Sequence, residues 1–215
     1  MKTEKLVEEN YLRFCQLDGS DCIASEFALS TVLQLIRTYK VKTVLEIGLG
    51  IGSISDTVLK LSNGENLNIE YFGTEANEFC NVALTQNVRS IRDIHLFKKL
   101  SEISSENKFD LIIIDGQDNQ LKEIYKYCKK HSIIFIEGDR SPQRELVMSI
   151  FPKAKHVNVI SLNKNKEYAH GLCETYHFVG GGQLIFTNPS FKMKFHYLKE
   201  KIRTYILRHL RKYRK

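Results

Sequence analysis

Long apolar runs are missing from this chain of 215 residues. None approaches the roughly 18 consecutive apolar residues that span a bilayer, which argues against a membrane-crossing helix. Paired cysteines are missing too. Cys15, Cys22, Cys80, Cys128 and Cys173 are scattered, odd in number and form no C-x-x-C, which argues against a structural zinc site and for reduced thiols serving as small core fillers. Met1–Lys5 leads into a mixed polar segment without the apolar core of a secretory signal, so the expected location is cytoplasmic. No repeat and no low-complexity segment interrupts the first 190 residues. The chain is 42% hydrophobic and 27% charged, ordinary values for a globular protein, and it is long enough for one well-buried domain.

Acidic residues are nearly absent from one segment only. Residues 191–215 hold ten Lys or Arg against a single Glu, a net +9 in a chain of net +7, so residues 1–190 come to −2. The basicity belongs to a tail, and the body is close to neutral. The division expected is therefore a domain over 1–190, with N-terminal helices in 5–40 and an α/β core over 41–190, followed by a basic helix over 191–215.

The most informative stretch is Val44 to Ser53. An apolar run, Thr43–Ile47, carries an acid at Glu46 and then sets Gly48, Gly50 and Gly52 at alternate positions before Ser53 opens a helix. Such glycines let a buried strand turn sharply and let a ligand lie directly against the backbone. In the dinucleotide fingerprint G-x-G-x-x-G a pyrophosphate sits on the helix N-terminus. Here the third glycine comes one residue early, Ser53 stands where Gly or Ala is wanted, and Glu46 would repel a pyrophosphate. An acid beside the turn suits a cationic or hydroxyl-rich ligand better. Three more strand ends follow the same plan. The run Asn68–Gly73 leads to Thr74, Glu75 and Ala76, with Glu75 placed 29 residues after Glu46. Phe109–Ile114 is apolar without alternation, as in a central parallel strand buried on both faces, and ends in Asp115-Gly116. Ser132–Ile136 ends in Glu137-Gly138-Asp139-Arg140.

The arrangement Glu46-x-Gly48-x-Gly50-x-Gly52 resembles motif I of the class I S-adenosylmethionine-dependent methyltransferases, and the likeness runs from about residue 40 to 188. It implies a doubly wound, Rossmann-like sheet of seven strands with the last antiparallel. It also implies that Glu46 lies near the methionine amino group, that Gly48, Gly50, Gly52 and Ser53 pass under the cofactor with Ala76 and Asp115 close by, and that Glu75 takes the ribose hydroxyls. Asp115-Gly116 is followed by Gln117, not by the Asn/Asp-Pro-Pro-Tyr/Phe of amino-group methyltransferases, and no Pro-Cys follows the fourth or fifth strand. Ile114-Asp115-Gly116 looks more like the small-molecule O-methyltransferases. Some of those place Mg²⁺ between acids ending the fourth and fifth strands, here Asp115 with Glu137 or Asp139. They usually show adjacent acids, which Gly138 separates here. Asp115 and His170, in the loop before the last strand, are the catalytic candidates, although a loop histidine is more often simply exposed.

Alternation of strand and helix independently predicts an α/β doubly wound fold. Further helices are expected over 5–17, 24–40, 53–62, 76–88, 121–130 and 143–150, and further strands over 94–97, 157–162 and 183–187. In the tail, Phe195, Leu198, Ile202, Ile206, Leu210 and Tyr213 recur every three or four residues, while Lys194, Lys201, Arg208 and Lys215 recur every seven. This basic amphipathic helix suits an anionic membrane surface or, less well, nucleic acid, or it packs its apolar stripe on the body with its basic face in water. The expectation is methylation of an oxygen on a small molecule or glycan, at the inner membrane surface if the tail binds there. The alternatives are a non-catalytic methyltransferase-like binding protein and an RNA methyltransferase; an NAD-dependent oxidoreductase fits less well.

Overall fold

Apolar runs bounded by glycine turns become the centre of one sheet. A computed structural model describes residues 3–169 and 174–214. Its strands are β1 (Thr43–Ile47), β2 (Glu70–Thr74), β3 (Ile94–Phe97), β4 (Phe109–Ile114), β5 (Cys128–Glu137), β6 (Lys155–Val159) and β7 (Gly182–Phe186). They lie in the order β3-β2-β1-β4-β5-β7-β6, with β7 antiparallel to both neighbours and every other pairing parallel. Strand order reverses between β1 and β4, and open α/β sheets bind ligands at the carboxyl ends of strands beside such a reversal. The Rossmann-like seven-stranded sheet expected from the sequence is the one observed.

Both faces are covered. The helices are α1 (Thr3–Cys15), α2 (Glu26–Tyr39), α3 (Ser53–Glu65), α4 (Glu78–Asn87), α5 (Ser141–Ile150) and α6 (Phe191–Tyr213). Period-two alternation sorts the strand residues between two layers: Leu111 and Ile113 pack with α1, α2, α3 and α4, whereas Ile112 and Ile114 pack with Val147 of α5. All four strand side chains are fully buried. Burial of each contributes about 1.5–3 kcal/mol, enough to fix β4 as the middle of the fold.

One segment differs from its sequence reading. Residues 121–130 were expected as one helix, but Leu121–Tyr127 is a 3₁₀ helix and β5 already begins at Cys128. Leu121, Ile124 and Tyr127 are all buried, and a spacing of three aligns them on one side of a 3₁₀ helix. The Tyr127 hydroxyl donates to Leu100 O at 2.9 Å and fixes that turn.

The N-terminal helices are pinned to the body through α3. Asp56, 2% exposed at its side chain, pairs with Arg13 of α1 at 2.6 Å and Lys60 at 2.8 Å, and Asn10 Nδ2 donates to Thr57 Oγ1 at 2.6 Å. Ser25 caps α2 by accepting from Ala28 N at 3.1 Å and donates its hydroxyl to Gly180 O at 2.9 Å. These bonds set α1 and the start of α2 beside the carboxyl ends of the strands.

Candidate functional site

The turn after β1 is built by backbone bonds to its neighbours. Gly48 N and Leu49 N both donate to Thr74 O at 3.0 Å, while Asp115 N and Gly116 N donate to Ile47 O at 3.0 and 2.7 Å. The ends of β1, β2 and β4 are thereby locked together. Gly48 has φ 87°, and a Cβ there would lie 2.4 Å from Gly116 Cα, so β1 and β4 close on each other with no room for a side chain. Gly50, at φ 53°, differs: a Cβ there would meet nothing within 4 Å. The turn is open on that side alone. Gly52 precedes α3 as its N-cap, and Ser53 is buried with its hydroxyl accepting from Ala24 N at 3.4 Å. Ser53 therefore serves packing at the helix start.

Glu75 sits at the end of β2 with both carboxylate oxygens directed at backbone donors. Oε2 accepts from Gly50 N and Oε1 from Asn77 N, each at 2.8 Å. The acid that the motif spacing singles out is thus in direct contact with the open glycine. An ionised carboxylate has about four acceptor sites, so two remain for a ligand. Ala76 beside it is exposed.

Glu46 is not on the rim of the turn. It points into the layer formed with the N-terminal helices, is fully buried, and accepts from the Tyr71 hydroxyl through Oε2. Its Oε1 is buried without a partner among the described residues. Burial pushes its proton affinity well above the ordinary carboxylate range. The Tyr71 bond opposes that shift, and the charges of Asp115 and Glu75 add to it. Between the ordinary value and the raised one, the unfolded chain releases a proton that the folded chain holds, so stability falls as pH rises. Glu46→Gln, neutral throughout, should remove this slope and be the more stable form at alkaline pH. Thermal unfolding followed from acid to alkaline pH tests this, and equal slopes for the two proteins would refute it.

Asp115 ends β4 and Glu137 ends β5, on a cleft of about 530 Å³ whose lining also includes Tyr11, Ser25, Arg140 and Asn165. Arg140 Nη2 bonds Asp115 Oδ1 at 2.9 Å. Burial raises the Asp115 carboxyl well above its ordinary range, Glu137 adds to the shift, and Arg140 opposes it. Burial likewise raises Glu137, against the opposing charge of Arg140. A larger cavity of about 630 Å³, between the N-terminal helices and α6, is lined by none of the candidate residues.

Glu46, Glu75, Asp115 and Glu137 thus form one run of neighbouring acids, with the Arg140 guanidinium beside Asp115 and Glu137. His170 lies outside the described residues. The carboxylates expected to hold Mg²⁺ do not fit one: Asp115 is engaged by Arg140, Asp139 is exposed, and no group of three metal-binding side chains converges among the described residues. The sequence assigns Arg140 no role beyond its place after Asp139. The pairing of Arg140 across to β4, and the wall that α1 and Ser25 supply, have no local sequence signal.

No protein-family model and no curated protein matches this sequence. Solved structures do match. An O-methyltransferase from Bacillus cereus in complex with SAH aligns at TM-score 0.60 and 12% identity over 86% of this chain and 91% of that one. The O-methyltransferase TomG from Streptomyces achromogenes, involved in tomaymycin synthesis and solved with SAM, aligns at 0.58 and 11% over 88% and 91%. The chain has the class I methyltransferase fold. A precorrin-6y C5,15-methyltransferase from Geobacter metallireducens aligns as well, at 0.60 and 15% over 88% of this chain and all of that one. One methyltransferase fold thus carries enzymes of different names, and the likeness fixes architecture without fixing an acceptor.

Proposed function

We propose that the protein is an S-adenosylmethionine-dependent methyltransferase acting on a hydroxyl of a small molecule or sugar. The observation that carries this reading is the acidic field around an open glycine turn. Glu75 touches Gly50, the one glycine of the turn whose side is free, Asp115 and Glu75 lie close enough to raise the proton affinity of Glu46, and Glu137 raises that of Asp115. These carboxylates, when ionised, favour a sulfonium and an ammonium and oppose a pyrophosphate. When bound, the cofactor supplies a methyl group on a sulfonium, already a good leaving group.

The chain's own residues then have two tasks. Gly50 and Glu75 hold the ligand's ribose end, by backbone approach and by the two unused acceptor sites of the carboxylate. Asp115 and Arg140 serve the acceptor in the adjoining cleft. Asp115 takes the hydroxyl proton, and its raised proton affinity makes it a stronger base than an exposed aspartate. Arg140, still possessing unused N–H donors, orients the acceptor oxygen and offsets its developing charge. With the cofactor held there it would supply the methyl group to the acceptor oxygen, and Asp115 would carry away the proton that this oxygen gives up.

Thermal unfolding with S-adenosylmethionine, S-adenosylhomocysteine and NAD tests the reading. Ligand at about 100 times its dissociation constant should stabilise by about 2.7 kcal/mol. Both adenosyl ligands should shift the midpoint and NAD should not. Glu75→Ala should weaken cofactor binding by about 1.5–3 kcal/mol through loss of charged hydrogen bonds. A shift with NAD alone, or unchanged affinity in the variant, would overturn the assignment.

A further inference from the structure

Helix α6 meets the body with a mixed face. Met193 is buried in the core and Tyr197 packs against it, while Tyr39 OH bonds His196 Nδ1 at 2.8 Å, Thr204 Oγ1 donates to Asn158 O at 2.5 Å, and Arg211 Nε donates to Ser161 O at 2.8 Å. Glu200 is buried there too, paired with Arg203 at 3.1 Å. Among the described residues, eight of the 14 large apolar side chains left exposed belong to this one helix. A helix that only covered the body would bury its apolar stripe and wet its polar one. Here Met193 and Tyr197 pack on the core, but the stripe of Phe195, Leu198, Ile202, Ile206, Leu210 and Tyr213 is exposed, so the expectation that this stripe packs on the body fails.

The outward stripe is continuous. Phe191, Phe195, Leu198, Ile202, Tyr205 and Ile206 fall within an arc of roughly 100°. Phe195 is 67% exposed and Ile202 55%. Lys192 and Lys199 run along one edge of the stripe, and Lys194, Lys201, Arg208 and Lys212 along the other. The helix of 23 residues is roughly 34 Å long, and the strip from Phe191 to Ile206 covers about 24 Å of it.

We propose that the outward face of α6 docks on an anionic lipid bilayer, the helix lying in the plane of the interface. Apolar side chains enter the boundary of the acyl chains while lysine stems run along them and carry their ammonium groups to lipid phosphates on both edges. A second copy of the chain fits this face poorly. The one acid of the helix, Glu200, is buried and already paired, so two such helices would set basic edge against basic edge. A nucleic acid would pair with the basic rows but leave the apolar stripe in water.

Co-sedimentation of the full chain with vesicles of phosphatidylcholine alone, and of equal parts phosphatidylcholine and phosphatidylglycerol, tests the proposal. Binding should be strong to the anionic vesicles, weak to the neutral ones, and reduced by added salt. Leu198→Glu with Ile202→Glu alters two exposed positions, so the unfolding midpoint should stay put while anionic vesicle binding falls by about tenfold or more. Failure to bind anionic vesicles would overturn the proposal, as would binding that survives the double substitution. A solution dimer, or a complex with single-stranded RNA, that the same pair abolishes while vesicle binding persists would overturn it too. Vesicle binding needs no cofactor, so none of these results bears on methyl transfer.

Discussion

Asp115→Asn should lower kcat by about 10²–10⁴-fold while leaving S-adenosylmethionine affinity within a few-fold of wild type, the loss ordinary for a removed general base. The size of the effect follows from the position of the carboxyl at the end of β4. It is 11% exposed at its side chain, faces the 530 Å³ cleft, and touches Arg140. Asparagine keeps the shape and a hydrogen bond to the guanidinium but cannot accept the acceptor's proton. The pH profile separates a base from a merely structural residue. With the Asp115 carboxyl raised above its ordinary range, kcat should climb with pH through that raised value, since only the ionised form is a base. The Asn variant should lose that limb. A chelator should leave the rate unchanged, because Arg140 supplies the positive charge at Asp115. A variant retaining full kcat, or a rate abolished by chelation, would refute this division of labour.

What was legible in the sequence was what the backbone demands locally. The glycine turn, the acid ending β2 and the apolar run of β4 each announce themselves within a few residues, because a sharp turn and a strand buried on both faces tolerate few residue types. The fold followed from them. Less legible was the direction of a side chain. Glu46 stands where a motif acid should, yet strand alternation sends it toward Tyr71, a partner 25 residues away. Pairings of this kind depend on strand register, which the sequence does not display. The Arg140–Asp115 pair and the Ser25–Gly180 bond are of the same type, the latter spanning 155 residues. The tail shows the opposite case. Its periodicity revealed an amphipathic helix, but which stripe met the body was decided by polar partners on α2, β6 and the segment after it. The spacing of three from Leu121 to Tyr127 was in plain view, and it distinguishes a 3₁₀ helix from the α-helix expected there.

Two glycines two residues apart should fail in different ways. Gly48→Ala should destabilise the protein by about 2–5 kcal/mol, the sum of forcing a side chain into left-handed backbone and driving a methyl into a neighbour that cannot move. That neighbour is backbone: Gly116 Cα and N lie 2.4 and 2.5 Å from the added carbon, and Gly116 N is itself bonded to Ile47 O. Either β4 moves away from β1 or the turn unwinds, and either change displaces Asp115. Gly50→Ala meets no atom within 4 Å and should cost only the backbone strain, about 1–2 kcal/mol. Its methyl, however, projects into the space beside Glu75 where the cofactor is proposed to lie. The Gly50 variant should therefore fold and lose cofactor binding, whereas the Gly48 variant should lose stability first. Denaturant unfolding combined with cofactor titration measures both quantities. If Gly50→Ala bound S-adenosylmethionine like wild type, the ligand would not cross this turn, and the acidic field would need another explanation. If Gly48→Ala were as stable as wild type, the close approach of β1 and β4 would not be what holds Asp115 in place.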